Sequence, residues 1–296
     1  MKGSRLYIDI FKVFSDAAAT KSFSRAAEIN FITQSAVSQQ ISFLEQYFGK
    51  SLIIRGKGKF SLTQEGETFL QGCKQILHTY QLTIDQMQAE LGEIAQTVNI
   101  EAVYSMGFYH LPPLVKSFMK KYNQINLHLE YKRSDLIYKD VIQGLCDFGI
   151  VAYPWQHPMI EIQYGKKEKL VCVCAPTYEL ANKKEIHLTD LNNKNFIAFI
   201  KELPTRRAVD AILKNNKVNV AITYEFDNVE TLKQFLELGD GISLLPEITV
   251  QQEVKKKDLV SIQITEGPFY RDTGIVTRKD RPLSRAAHEA IKYLLK

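Results

Sequence analysis

The chain is expected to fold as an α/β protein headed by an all-α winged helix-turn-helix, with a coiled-coil linker helix between the two parts. Three observations predict this. Positive charge is gathered at one end, a strict heptad follows it, and strand-like and helix-like segments then alternate to the C-terminus. Positions 1–64 hold nine Lys/Arg and four Asp/Glu, a net of 9 − 4 = +5, whereas the remainder holds 29 of each sign and is neutral. That asymmetry marks a small basic module that meets a polyanion.

The 296 residues suffice for two or three domains, and 45% hydrophobic with 24% charged residues is the profile of a soluble protein. Charges in the first residues and the lack of a long apolar run predict a cytoplasmic chain with no membrane partner. Cys73, Cys146, Cys172 and Cys174 form no C-x-x-C, so they read as reduced thiols.

In the basic module the spacing predicts a helix over Leu6 to Ala18, with Ile10, Val13, Phe14 and Ala17 on one face. A short Ala-rich helix, Ser24 to Ile29, takes Ser22 or Ser24 as its N-cap. A third helix starts at Thr33, which can cap it, and runs to Phe48, where Gly49 stops it. Val37, Ile41, Leu44 and Phe48 share its buried face, while Gln34, Ser35, Ser38, Gln39 and Ser42 form an exposed stripe. Next, Leu52 to Arg55 and Phe60 to Leu62 flank a Gly-Lys-Gly turn, a hairpin with a basic tip. Helix, tight helix–turn–helix and basic hairpin are the order of a winged helix-turn-helix. Amides and hydroxyls suit the donors and acceptors of the major groove, and Arg55, Lys57 and Lys59 suit phosphates.

Together these segments resemble the DNA-binding domain of LysR-type transcriptional regulators. The matching motifs are Ser22 to Ala27, Thr33 to Ser38, Leu44 to Gly49, Leu52 to Arg55 and Leu62 to Gly66. Thr33, Ala36, Gln39, Phe48 and Ile53 depart from the usual residues, and Gln39, where Arg is common, bears on base preference. The resemblance implies contacts to double-stranded DNA, at a partly palindromic operator, through Ser24, Thr33, Gln34, Ser35, Ser38, Gln39, Ser42, Arg55, Lys57 and Lys59. It also implies a homodimer through the linker, assembly to a homotetramer, and RNA polymerase as a further partner.

From Gln64 to Ile94, Leu70, Cys73, Leu77, Tyr80, Ile84, Met87, Leu91 and Ile94 recur at alternating spacings of three and four, a coiled-coil seam. Cys73 reads as a small seam residue.

Beyond Thr97, nine strands and five helices alternate, which predicts largely parallel sheets in two lobes. "LPPLVKSFMKKYNQINLHLE", "GLCDFGIV" and "ELGDGISLLP" resemble the family's two-lobed effector domain, which is similar to periplasmic solute-binding proteins. The expected domains are 1–63, 64–95 and 96–296, with lobe 1 at about 96–165 and 266–296 and lobe 2 at about 166–265. Ligands of such domains sit at strand carboxyl ends beside helix N-termini. That rule selects the loop Tyr104, Ser105 and Met106; the segment Phe199, Ile200 to Thr205; Asn228; and Ser134, Ala152 and Tyr153 as walls. Small hydroxyl donors and helix N-termini favour a small anionic effector.

The sequence contains no Walker loop, nucleophile elbow, zinc-binding H-E-x-x-H or dinucleotide fingerprint, so no enzyme, cofactor or metal site is expected. Cys172 and Cys174 lie two apart on one strand face, and His110 and His128 lack ligand spacing. The family's peroxide-sensing branch has a cysteine pair where Phe196 to Asp210 here has none. Two alternatives stay open at this point: a DNA-binding protein whose α/β part serves assembly alone, and an enzyme with an unfamiliar motif.

Overall fold

The computed structural model describes residues 6–56, 59–89 and 96–295. It separates into two units, Met1–Ile94 and Ala95–Lys296. The first contains α1 (Ile8–Thr20), α2 (Phe23–Ile29), α3 (Gln34–Phe48), the antiparallel pair β1 (Ile53–Gly56) and β2 (Lys59–Leu62), and α4 (Gln64–Ala89).

Local chemistry fixes each boundary. Ser22 caps α2, its hydroxyl accepting from the Arg25 amide at 3.3 Å. Thr33 caps α3 by accepting from the Ala36 amide at 3.2 Å, and Gly49 ends that helix at φ 64°. Val13, Phe14 and Ala17 of α1 meet Ala26 and Ala27 of α2 and Val37, Ile41 and Leu44 of α3 in one core. Phe48 departs from expectation. It is 43% exposed, because α3 ends at the rim of the core, where its ring rests against Phe69 at 5.1 Å.

The Leu-Thr-x-x-Gly motif has a physical cause here. Thr63 accepts from the Gly66 amide at 2.9 Å and donates to the Ser51 carbonyl at 2.7 Å. A Cβ on Gly66 would lie 2.0 Å from the Leu52 carbonyl oxygen, so only glycine lets α4 start against β1.

The heptad of α4 divides. Cys73 is buried in the core with α1, and Leu70 packs against it, so this end of the seam is covered within the chain. Further along the seam, Tyr80 and Met87 are exposed. Leu91 and Ile94 lie outside the described residues.

The second unit runs β3 (Gln96–Ala102), α5 (Tyr104–Tyr109), α6 (Leu111–Lys121), β4 (Ile125–Tyr131), α7 (Ser134–Gln143), β5 (Phe148–Ala152) and β6 (Ile160–Tyr164). It continues through β7 (Glu168–Cys174), β8 (Glu185–Ile186), β9 (Asn195–Phe199), α8 (Pro204–Asn215), β10 (Ala221–Phe226), α9 (Val229–Glu237) and β11 (Ile242–Pro246). It closes with α10 (Gln251–Lys256), β12 (Val260–Ile264), β13 (Phe269–Arg271), β14 (Thr273–Arg278) and α11 (Arg285–Leu294).

Two sheets result. One has the order β4-β3-β5-β14-β6; the other has the order β10-β9-β11-β7-β12-β8, with β13 also on β7. The chain passes between them after β6 and again at Asp272, so β13 stays with the second sheet. Both sheets are mixed rather than largely parallel. Strands β7 and β14, which carry the chain out of and back into the first lobe, run against their neighbours. The central strands of each sheet are buried on both faces, whereas the edge strand β10 is exposed along nearly its whole length. Val98, Ile100 and Phe148 meet α6 and α11 on one side of the first sheet, and Val151 and Val276 meet α7 on the other. Along β7, Cys172 and Cys174 face one layer of the second lobe and Val171 and Val173 the opposite layer.

Candidate DNA-binding face and ligand cleft

The surface of α3 follows from its period. With Val37, Ile41 and Leu44 turned inward, Gln34, Ser35, Ser38, Gln39 and Ser42 come together in one concave patch with Phe43 and Gln46. Thr33 sits at its edge but is committed to the cap, and its hydroxyl is 2.9 Å from that of Ser35. Ser24, on α2, is exposed but outside the patch. Lys57 lies outside the described residues, as do the side chains of Arg55 and Lys59. Glu45, the one charge of α3, accepts from the Leu52 and Ile53 amides at 2.9 and 3.2 Å and so fixes the hairpin to the helix. Sequence periodicity alone cannot reveal that partner, since it lies past the helix end.

In the second unit the carboxyl ends of β3, β4, β5, β9 and β10 converge on a cleft lined by both lobes. Its volume is about 60 Å³, room for a few waters. Tyr104, Ser105, Ser134, Ala152, Phe199, Thr205 and Asn228 line it together. Three expected residues do not. Residues 104–106 form the first turn of α5 rather than a loop, which turns Met106 into the core of the first lobe. Tyr153 takes φ 50° at the turn after β5 and is absent from the wall, and Ile200 has already passed the end of β9.

The cleft also holds cations that strand-end reasoning missed: Lys132, Arg133 and Arg271. Lys132 is matched by Glu101, Glu130 and Asp140 at 2.6, 2.9 and 2.9 Å, and Arg133 by Asp135 at 3.2 Å. Arg271 differs. It is 2% exposed and its Nε donates to Glu168, yet its Nη2 has no hydrogen-bond partner among the described residues. Burial alone would raise the pKa of Glu168, but the hydrogen bond from His110 and the charge of Arg271 outweigh it and hold the carboxyl below its ordinary range.

Helices α7 and α8 enter the cleft with no side-chain cap, whereas Asn228 caps α9 by accepting from the Thr231 amide at 2.9 Å. Arg206, buried, braces α8 by donating to the Phe199 carbonyl at 2.6 Å and to Asp210 at 2.8 Å. Tyr109 of α5 bonds Glu230 and Lys233 of α9, a tie between the lobes beside the cleft.

Residues 91–296 match the family model "LysR substrate binding domain", and residues 8–67 match "Bacterial regulatory helix-turn-helix protein, lysR family". The chain belongs to the LysR family. It is a LysR-type transcriptional regulator with a DNA-binding and an effector-binding domain. The LysR-family relative CysL of Bacillus subtilis (strain 168), an HTH-type transcriptional regulator, is 27% identical over 261 residues, 88% of this chain and 85% of that one. The regulatory domain of Synechocystis PCC6803 CcmR, solved in complex with 2-PG, is 26% identical with a TM-score of 0.63, covering 68% of this chain and 96% of that chain. Another LysR regulator, CbnR, shares the fold at a TM-score of 0.78 and 17% identity, covering 98% of both chains.

The four LysR-chain thiols are buried, and burial pushes Cys73 to about 12 and Cys174 to about 11, far from a reactive thiolate. Among the described residues no acidic, Cys or His cluster of metal-binding geometry occurs, and no helix is long and apolar enough to cross a membrane.

Proposed function

We propose that this regulator reads its operator through Gln34, Ser35, Ser38 and Gln39 of α3, with Arg55, Lys57 and Lys59 engaging phosphates. A small anion in the cleft sets the response. The observation that carries the second point is the buried Arg271 with its unpartnered Nη2, beside the uncapped N-termini of α7 and α8. The hydroxyls of Ser105, Ser134 and Thr205 and the helix N-termini that line the cleft suit a small acid, a carboxylate or phosphate ester. The 2-PG complex of CcmR supports ligand binding in such a domain. Ser105 and Thr205 supply hydroxyls from opposite lobes, so a ligand touching both fixes their relative angle and, through it, the spacing of the DNA-binding modules.

We further read the chain as a cytoplasmic regulator rather than an enzyme, in keeping with relatives named as regulators, and as a dimer through α4 that assembles to a tetramer. The test is a thermal-shift screen of small carboxylates and phosphate esters. The ligand found should lose affinity for Ser105→Ala, Thr205→Ala and Arg271→Lys, while operator binding without ligand is unchanged. Wild-type affinity in all three variants would place the effector elsewhere.

A further inference from the structure

Lys132 follows β4 and lines the cleft. An ammonium group has three N–H donors. Three carboxylates surround this one: Glu101 of β3 at 2.6 Å, Glu130 of β4 at 2.9 Å and Asp140 of α7 at 2.9 Å. With all three ionised the cluster carries 1 − 3 = −2. An anion entering the cleft therefore meets, on this wall, a lysine with no donor to spare and an excess of negative charge. Burial alone would lower the pKa of Lys132, but its carboxylate neighbours hold it above its ordinary value, so the lysine keeps its charge. Any relief has to come from an acid.

The three acids are not alike. Glu130 is 49% exposed and Asp140 16%, whereas Glu101 is 5% exposed. One oxygen of Glu101 accepts from Lys132, and the other, Oε2, is buried with no hydrogen-bond partner among the described residues. A buried carboxylate satisfied on one side only is costly when ionised. The groups around it bring little relief. Asp147, just before β5, adds negative charge while accepting from the Asn99 amide at 2.8 Å. Burial, together with the charges of Glu101, Asp140 and Asp147, pushes the Cys146 thiol up and keeps it neutral. Arg281 donates to the Gly144 carbonyl at 2.6 Å, and Arg133 is paired with Asp135. Glu101 is thus the member of the cluster that takes a proton most readily, and burial raises its pKa to about 7.

We propose that Glu101 is a positioning residue for the cleft ligand: an anion that meets Lys132 binds together with a proton taken up by Glu101, so its affinity falls as pH rises through neutrality. The proton comes from solvent and adds to Glu101 Oε2, and the cluster goes from −2 to −2 + 1 = −1. A neutral carboxyl is a weaker acceptor than a carboxylate, so a Lys132 N–H is released to the ligand. Ligand and proton favour each other reciprocally. The sign follows from the pKa: binding is strongest with Glu101 protonated, below 7, and weakens above it. The proposal rests on the anion reading of the cleft and adds its dependence on pH.

The test uses the full-length protein and sulfate, which stays doubly charged over this range, with ionic strength held by potassium chloride. Binding is followed by Trp155, which stacks on Tyr138 of α7, and by the unfolding transition. Wild-type affinity should fall about tenfold between pH 6 and pH 8, the span of one carboxyl titrating near 7. Glu101→Gln, which mimics the neutral acid, should match wild type at pH 6 and bind about tenfold tighter than wild type at pH 8. A merely structural role predicts weaker binding instead. A pH-stat titration of the wild type at pH 7 needs no variant, and sulfate should drive uptake of about half a proton per chain. Sulfate that binds equally at both pH values, Glu101→Gln that follows wild type across the range, or binding without proton uptake overturns this proposal alone. Sulfate that moves neither Trp155 nor the unfolding transition at pH 6 overturns the anion reading of the cleft and the proposal with it.

Discussion

Gln39 and Glu101 sit at opposite ends of what single residues decide. Gln39 projects from α3 into the concave patch, and its amide suits a bidentate contact to adenine. Gln39→Ala is expected to lower the ratio of operator to random-DNA affinity by about 1–3 kcal/mol, measured by titrating both duplexes at one salt concentration. Equal losses on the two duplexes would remove it from base reading. Glu101 is buried beside Lys132, and burial raises its pKa from 4.5 to about 7 even though the Lys132 hydrogen bond pulls the other way. The folded state thus holds this proton more tightly than the unfolded chain. Its contribution to stability is greatest below pH 4.5 and declines as pH rises through 7. Glu101→Gln, neutral throughout, is expected to flatten the pH dependence of Tm across that window, and an unaltered slope would show that Glu101 is not the group responsible. The polar stripe of α3 was legible because helical period alone sorts faces. The Glu101–Lys132 pair was not, since 31 residues separate partners joined only by the pairing of β3 with β4.

At the scale of elements, α4 shows where periodicity stops being informative. The heptad is regular from Leu70 to Ile94, and a regular seam reads as one interface. Yet Cys73 and Leu70 serve the core of their own chain, whereas Tyr80 and Met87 remain exposed. A stripe records that a face is buried, not by which chain. The proposed dimer contact therefore belongs to the later turns, and the two halves are separable by mutation. Cys73→Asp should unfold the module, because it buries an unpaired charge at a site 1% exposed. Ile84→Asp or Tyr80→Asp in a 1–96 fragment should leave far-UV helicity near wild type at high concentration and shift sedimentation toward monomer. A wild-type fragment that sediments as a monomer at tens of micromolar, the range of a weak specific dimer, would exclude α4 as the main contact. Helix α5 carries the same lesson. Six residues give no readable period, so Tyr104 to Met106 look like a loop, and the turn that sends Met106 inward is invisible until the helix is seen.

Over the whole molecule, the cleft depends on segments far apart in sequence, and Trp155, the one tryptophan, reports on one wall of it. Its ring stacks on Tyr138 at 3.6 Å and 10°, and the Tyr138 hydroxyl accepts from the Trp155 amide and donates to its carbonyl, both at 2.8 Å. Tyr138 lies on α7, whose first residue, Ser134, lines the cleft. A ligand held by Ser134, Arg271 and Thr205 must fix α7 against the second lobe, so the stacked pair should respond. Trp155 fluorescence followed through urea unfolding isolates the second unit, because the first contains no tryptophan. With the cleft ligand at about 100 times its Kd, the transition should gain about 2.7 kcal/mol with its m-value unchanged. The unfolding of the 1–96 fragment, followed by far-UV signal, should not move under the same ligand. In Arg271→Lys the gain should shrink, since the planar fork that offers Nη2 is replaced by a point charge. A ligand that raises both transitions equally acts on the solvent or on both units rather than in the cleft. One that raises the Trp155 transition equally in wild type and Arg271→Lys binds the second unit without using the arginine, and the anion reading of the cleft then fails.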